Sequence, residues 1–277
     1  MRIGYFSNIN LTKYSNLDKK VNSLVLEAKN QNLGILVCSG GISNNYLITK
    51  DFVMRLGNAL KLEKIKFRFI VGNKDFYYDK SESCADKEEK FRSILREYRN
   101  IEYYLPTHSI LLKGGVRIVG FETWYDYSLY RGSIRDLKDI TKKSFFGIKN
   151  KDVVYITNKS DYNQGLDDLF DIRFSNECLS MMASKLNNYS YSRGIAGTKF
   201  IAVQYFTPIK SLLGERLYDK YMGTFMGSYK YLSPLIDYRV KKCIIGCKCV
   251  NKTLTSRGIK FIGTDKNITV DEIEVEE

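Results

Sequence analysis

The sequence predicts an α/β fold built on parallel strands. Short apolar segments at 2–6, 35–38 and 67–71 alternate with helical periodicity at 17–31 and 50–62. Each apolar segment empties into a loop rich in glycine and asparagine: Ser7-Asn8-Ile9-Asn10, Ser39-Gly40-Gly41 and Gly72-Asn73-Lys74-Asp75. Strand, loop and helix repeated in this order place the strands side by side and parallel. In such sheets the site lies beyond the carboxyl ends of the strands, so the three loops converge. No repeat or low-complexity tract appears in the 277 residues, and three prolines leave little room for a linker. One domain over 1–277 is expected.

The elements follow from local pattern. Leu17, Val21, Leu24, Val25 and Ala28 share one helical face, and Gly34 follows the end of that helix. A charged helix is expected over 86–98, and a hairpin over 109–121 around Gly114-Gly115. The polar, aromatic stretch from 122 to 175 has weak periodicity and reads as an insertion or lid. Residues 176–187 are expected to be helical, 199–203 a strand, and a further helix ends near 240. Cys243-Ile244-Ile245 then leads into Gly246-Cys247-Lys248-Cys249, and alternation at 258–262 predicts strands near the end. The acidic segment 270–277 reads either as a solvated tail or as a last edge strand, since Val270, Ile273 and Val275 alternate with acids.

Composition bounds the function. Hydrophobic residues are 44% and charged residues 27%, ordinary globular usage. The net charge of +13 suggests an anionic partner. The single histidine, His108, excludes a site built on several imidazoles. Six cysteines, no signal-like leader and no apolar run long enough to span a bilayer point to a cytoplasmic protein with reduced thiols.

The order and spacing of five strand-end loops resemble the calcineurin-like metallophosphoesterases over nearly the whole chain. Gly120-Phe121-Glu122-Thr123-Trp124-Tyr125-Asp126-Tyr127-Ser128 is similar to a G-x-x-x-W-Y-D-Y-S stretch of a bacterial subgroup, and Phe225-Met226-Gly227-Ser228 to its F-L-G-S. The resemblance implies two mixed sheets packed as a sandwich and flanked by helices. It also locates the site residues. The family's D-x-H falls on Asn8 and Asn10, its G-D on Gly40-Gly41, and its G-N-H-D on Gly72-Asn73-Lys74-Asp75. The histidine before F-x-P falls on Tyr205, and G-H-T-H falls on Gly246-Cys247-Lys248-Cys249. Of the metal ligands the resemblance implies, only Asn73 keeps the family's residue type.

That pattern has a chemical consequence. A two-metal phosphoesterase clamps phosphate between cations about 3.5–4 Å apart and makes its hydroxide there. Hard divalent ions take carboxylates and imidazoles, and the loops offer amides, a glycine and a phenol. The expectation is a catalytically inactive pseudoenzyme without metal or cofactor, acting by binding in a regulatory role. The partner is either a protein or a phosphate-containing ligand held at Lys74 and Lys248, whose ammonium groups neutralise phosphate without a metal. Other readings remain open. A divergent phosphoesterase would use Asp75 with Lys74 for acid–base work. Basic and aromatic residues interleaved at 90–99 and 229–231 suit nucleic acid. Cys243, Cys247 and Cys249 would share one face of a continuous strand and suit a soft metal. The aromatic stretch 121–130 reads as a packed lid or as an adhesive protein-binding surface.

Overall fold

The computed structural model describes residues 1–77, 87–129, 170–191, 198–213, 225–249 and 252–273. Most of the expected insertion, 130–169, and the last acids, 274–277, lie outside the described residues.

In chain order the elements are β1 (Arg2–Phe6), α1 (Leu17–Asn30), β2 (Ile35–Cys38), α2 (Tyr46–Leu62), β3 (Lys66–Phe69), α3 (Lys87–Arg99), β4 (Ile110–Leu111) and β5 (Val116–Gly120). They continue with α4 (Phe170–Tyr191), β6 (Lys199–Gln204), α5 (Leu232–Asp237), β7 (Lys242–Ile245), β8 (Thr253–Ser256), β9 (Ile259–Gly263) and β10 (Thr269–Glu272). Two mixed sheets result. One has the order β10-β1-β2-β3 and the other β4-β5-β6-β7-β9-β8. Strands β1, β2 and β3 are parallel, as are β5, β6, β7 and β9. The antiparallel strands β10, β4 and β8 lie on the edges. The α/β fold with two mixed sheets is therefore the one the sequence predicts.

Central strands β2 and β7 are apolar and buried throughout or nearly so, as strands covered on both faces must be. Helix α1 turns Leu17, Val21, Leu24 and Ala28 inward. Among the described residues a single apolar cluster runs through both sheets and the helices beside them.

Two helix starts differ from expectation, and one open reading is decided. Helix α2 starts at Tyr46 because Asn45 caps it, its side-chain oxygen accepting from the Leu47 and Ile48 amides at 2.9 and 3.4 Å. Helix α4 starts at Phe170, before the expected 176, because the buried Asp171 carboxylate accepts from the Trp124 indole N–H at 2.9 Å and from the Tyr127 hydroxyl. The acidic end is a strand as far as it is described: β10 pairs Arg2 with Glu272 through Tyr5 with Thr269. Lys242 from the other sheet meets Asp271 at 2.5 Å.

The described part of the aromatic stretch faces inward, which corrects its reading as an adhesive surface. Phe121, Trp124, Tyr125, Tyr127 and Leu129 are all buried. Trp124 meets Phe76, Phe91, Phe174 and Phe206 edge-on, with ring centroids 5.5–6.2 Å apart. Among the described residues no helix is long and apolar enough to cross a membrane.

Candidate functional site

The loops after β1, β2, β3, β6 and β7 converge beyond the carboxyl ends of their strands. Their backbones are laced together: the Asn8 amide donates to Gly40 O at 3.0 Å, the Leu11 amide to Ile42 O at 2.7 Å, and the Cys247 amide to Tyr205 O at 2.6 Å. The Asn8 side-chain NH2 crosses from one sheet to the other and donates to Gly246 O at 2.6 Å. Asn8 and Asn10 hold φ values of 53° and 49°, a left-handed conformation that asparagine tolerates better than most residues.

Asp75 is fully buried and does not open into the convergence. Its Oδ1 accepts from the Ile42 and Ser43 amides at 2.8 and 3.0 Å and from the Thr49 hydroxyl at 3.1 Å. Its Oδ2 accepts from the Gly41 and Gly72 amides, both at 2.8 Å. Burial pushes the carboxyl up from its usual range, and the hydrogen bonds from Gly72, Ser43, Gly41 and Thr49 pull it back down. The side chain thus ties the second loop to the third. Both oxygens are engaged out of solvent, and Asp75 holds the two loops together.

Tyr205 occupies the centre and is 6% exposed. Its ring packs on glycines from three loops. A Cβ added at Gly40, Gly72 or Gly246 would stand 2.6–2.8 Å from a ring carbon of Tyr205, closer than side chains tolerate. Its hydroxyl donates to Asn8 Oδ1 at 3.2 Å. Gly41 is equally confined: a Cβ there would stand 2.5 Å from Asn8 Oδ1, and its φ of 73° is unfavourable for any L side chain.

The remaining predicted positions are dispersed around this centre. Asn10 is exposed and donates to Asn8 O at 2.8 Å. Asn73 is half-buried and begins a short 3-10 turn over Asn73–Phe76. Cys247 and Cys249 are buried and their thiols hydrogen bond to each other; burial pushes the Cys247 thiol well up, so it stays protonated. Cys243 is buried within β7, and the strand stops at Gly246, so the three cysteines do not continue along one strand. Lys74 and Lys248 are exposed, each two residues beyond a glycine that contacts Tyr205. His108 is exposed and lies outside the loops, its carbonyl accepting from Arg68 Nε at 3.1 Å.

The resemblance implies a pair of divalent cations, and the residues present do not fit one. The Asn8 amide is engaged at both ends, Tyr205 fills the centre, and Gly41 has no room for a bridging side chain. Among the described residues no three His, Cys, Asp or Glu side chains form a group that could hold a metal ion. Two features escaped sequence reasoning. Glycines at 40, 72 and 246 opposite one aromatic residue were a legible hint of a ring seated among them. The Asp75 cradle was not legible, because a carboxylate in a loop carries no sign of where it points.

No protein-family model matches the sequence. No curated protein matches it either. Solved structures do share its architecture. One is the phosphopantetheinyl hydrolase from Mycobacterium tuberculosis, with a TM-score of 0.64 and 14% identity, covering 95% of this chain and 88% of that one. Another is a dimetal phosphatase from Danio rerio, with a TM-score of 0.48 and 12% identity, covering 95% of this chain and 86% of that one. The first likeness shows the fold, which is metallophosphoesterase-like.

Proposed function

We propose that this chain is a non-hydrolytic protein on a phosphoesterase-like fold, and that it acts by binding a phosphate-bearing ligand at the rim of the closed loop centre. The reading is carried by Tyr205, whose ring stands among Gly40, Gly72 and Gly246 where two cations and a bridging group would have to be. Lys74 and Lys248 stand two residues beyond Gly72 and Gly246 in two of these loops and are exposed to solvent. An ammonium group binds phosphate as a point charge and needs no metal to do so. The excess of 44 Lys and Arg over 31 Asp and Glu favours an anionic ligand.

Two measurements test this. Phosphomonoester and phosphodiester substrates, offered with and without manganese, are expected to give no turnover above a boiled control. Metal-dependent turnover that disappears in Asn73→Ala would overturn the reading. Thermal shift against inorganic phosphate and a panel of nucleotides is expected to show stabilisation that the double variant Lys74→Ala/Lys248→Ala loses.

A further inference from the structure

A second site lies away from the loop centre. A groove of about 520 Å³ runs between α4, the end of α3 and the segments that follow Leu105 and Gly120. That volume falls in the range of small-molecule sites, roughly 300–1,000 Å³. Met181, Met182 and Phe121 give it apolar wall, and Ser180, Ser184 and Asn188 give it polar groups. Lys185 lines it as well. The Lys185 amine donates to Pro106 O and reaches Gly120 O at 3.5 Å.

We propose that Lys185 is a nucleophilic amine that forms an imine with a small aldehyde admitted by this groove. The two carbonyls fix the direction of the amine. A neutral amine that gives both hydrogens to Pro106 O and Gly120 O has its lone pair in the fourth tetrahedral direction, away from both. The charged groups around it are set in opposition. Glu122 is bound by Arg99 through two hydrogen bonds, one of 2.9 Å, and by the Tyr104 hydroxyl at 3.1 Å. Arg117 stacks on Tyr189 with 4.3 Å to the ring centroid. Cys178 is buried, and its thiol is pushed well up, so it stays neutral. Burial holds the Lys185 ammonium down at about 8, with Glu122 opposing that shift and Arg99 adding to it.

The step balances without a further reactant. The amine pair attacks the aldehyde carbon, and the C=O π pair moves onto oxygen, which takes up one of the two amine hydrogens as a proton. The oxygen then takes the second and leaves as water with the C–O bonding pair, the nitrogen pair closes the C=N bond, and the two hydrogens lost from nitrogen are the two in the water.

Pyridoxal with cyanoborohydride trapping, followed by peptide mapping of the intact protein, tests the proposal. At pH 7.5 about a quarter of such amines are neutral, against about one in a thousand exposed lysines. A less basic nucleophile is intrinsically slower, by about tenfold over this range if amines follow the trend of thiols. Labelling of Lys185 is therefore expected about twentyfold faster than that of exposed lysines, with a midpoint near pH 8. Lys185→Arg, which keeps the charge and the donors, is expected to lose that fast label. Labelling of Lys185 at or below the rate of the exposed lysines in the wild-type protein overturns the proposal, and this comparison does not depend on how the variant folds.

Discussion

The Tyr205 hydroxyl donates to Asn8 Oδ1 across 3.2 Å, and the same asparagine donates to Gly246 O at 2.6 Å. One side chain from the first sheet is thereby gripped by two loops of the second. The convergence that the strand order creates is closed by an aromatic ring and an amide.

Removing the ring should be costly. Tyr205→Ala is expected to lower stability by about 3–5 kcal/mol, the range for deleting a large buried ring. Tyr205→Phe keeps the ring and loses one hydrogen bond, for about 1 kcal/mol. Urea denaturation of both variants gives the ratio. Equal losses would mean that the hydroxyl, and not the packing, holds the centre.

Placing a carboxylate at position 41 should be costly. Gly41→Asp forces a Cβ to 2.5 Å from Asn8 Oδ1 at a φ of 73°, so a loss of at least about 2 kcal/mol is expected from the backbone strain plus the displaced amide. Gly115→Ala is the control. Its φ is 74° but nothing lies within 4 Å of the added carbon, so only the conformational cost of about 1–2 kcal/mol applies. Similar melting temperatures for the two variants would show that Asn8 moves aside freely.

Asp75→Asn should act on stability. The amide keeps one acceptor oxygen but turns an NH2 toward backbone N–H groups that now donate to a carboxylate. A loss of about 2–4 kcal/mol is expected, read as a shifted urea midpoint. An unchanged midpoint would remove the carboxylate from its structural role.

Manganese should not stabilise the protein. A cation held with a Kd one hundredth of its concentration adds about 2.7 kcal/mol. At 1 mM manganese no change in melting temperature is expected beyond that given by 1 mM magnesium. A shift confined to manganese and abolished by Asn73→Ala would reveal a metal site that these loops do not present.

Lys185 makes stability depend on pH with a definite sign. Its folded pKa, about 8, lies below that of an exposed lysine, so between the two values the unfolded chain binds the extra proton. Stability therefore rises with pH through that window, by a total of about 3 kcal/mol. Comparison with Lys185→Met at each pH from 7 to 10 isolates the contribution. The difference between the two proteins should move in favour of the wild type as pH rises.

Strand-loop-helix repetition was legible because periodicity and glycine punctuation are local. Val21 and Leu24 announce a buried helical face, and Ile35 through Cys38 announce a covered strand. The residue types at the loop ends were also legible, since asparagines at 8 and 10 and a glycine at 41 are read directly from the sequence. What occupies the space was not, because Tyr205 meets Gly40, Gly72 and Asn8 only after the sheets have packed. The early start of α4 was hidden for the same reason: Asp171 is anchored by Trp124, 47 residues away. Lys185 looked like one lysine among many until Pro106 and Gly120 were placed beside it.

The bond from Asn8 to Gly246 spans 238 residues of chain, and that from Thr264 to Ser7 spans 257. Contacts so distant in sequence form only after long loops have closed, which slows folding and places such contacts late. Substitutions at Tyr205 should then speed unfolding far more than they slow refolding. The seam at the loop ends acts as a latch on the finished protein: it sets how long the native state lasts more than how fast it is reached.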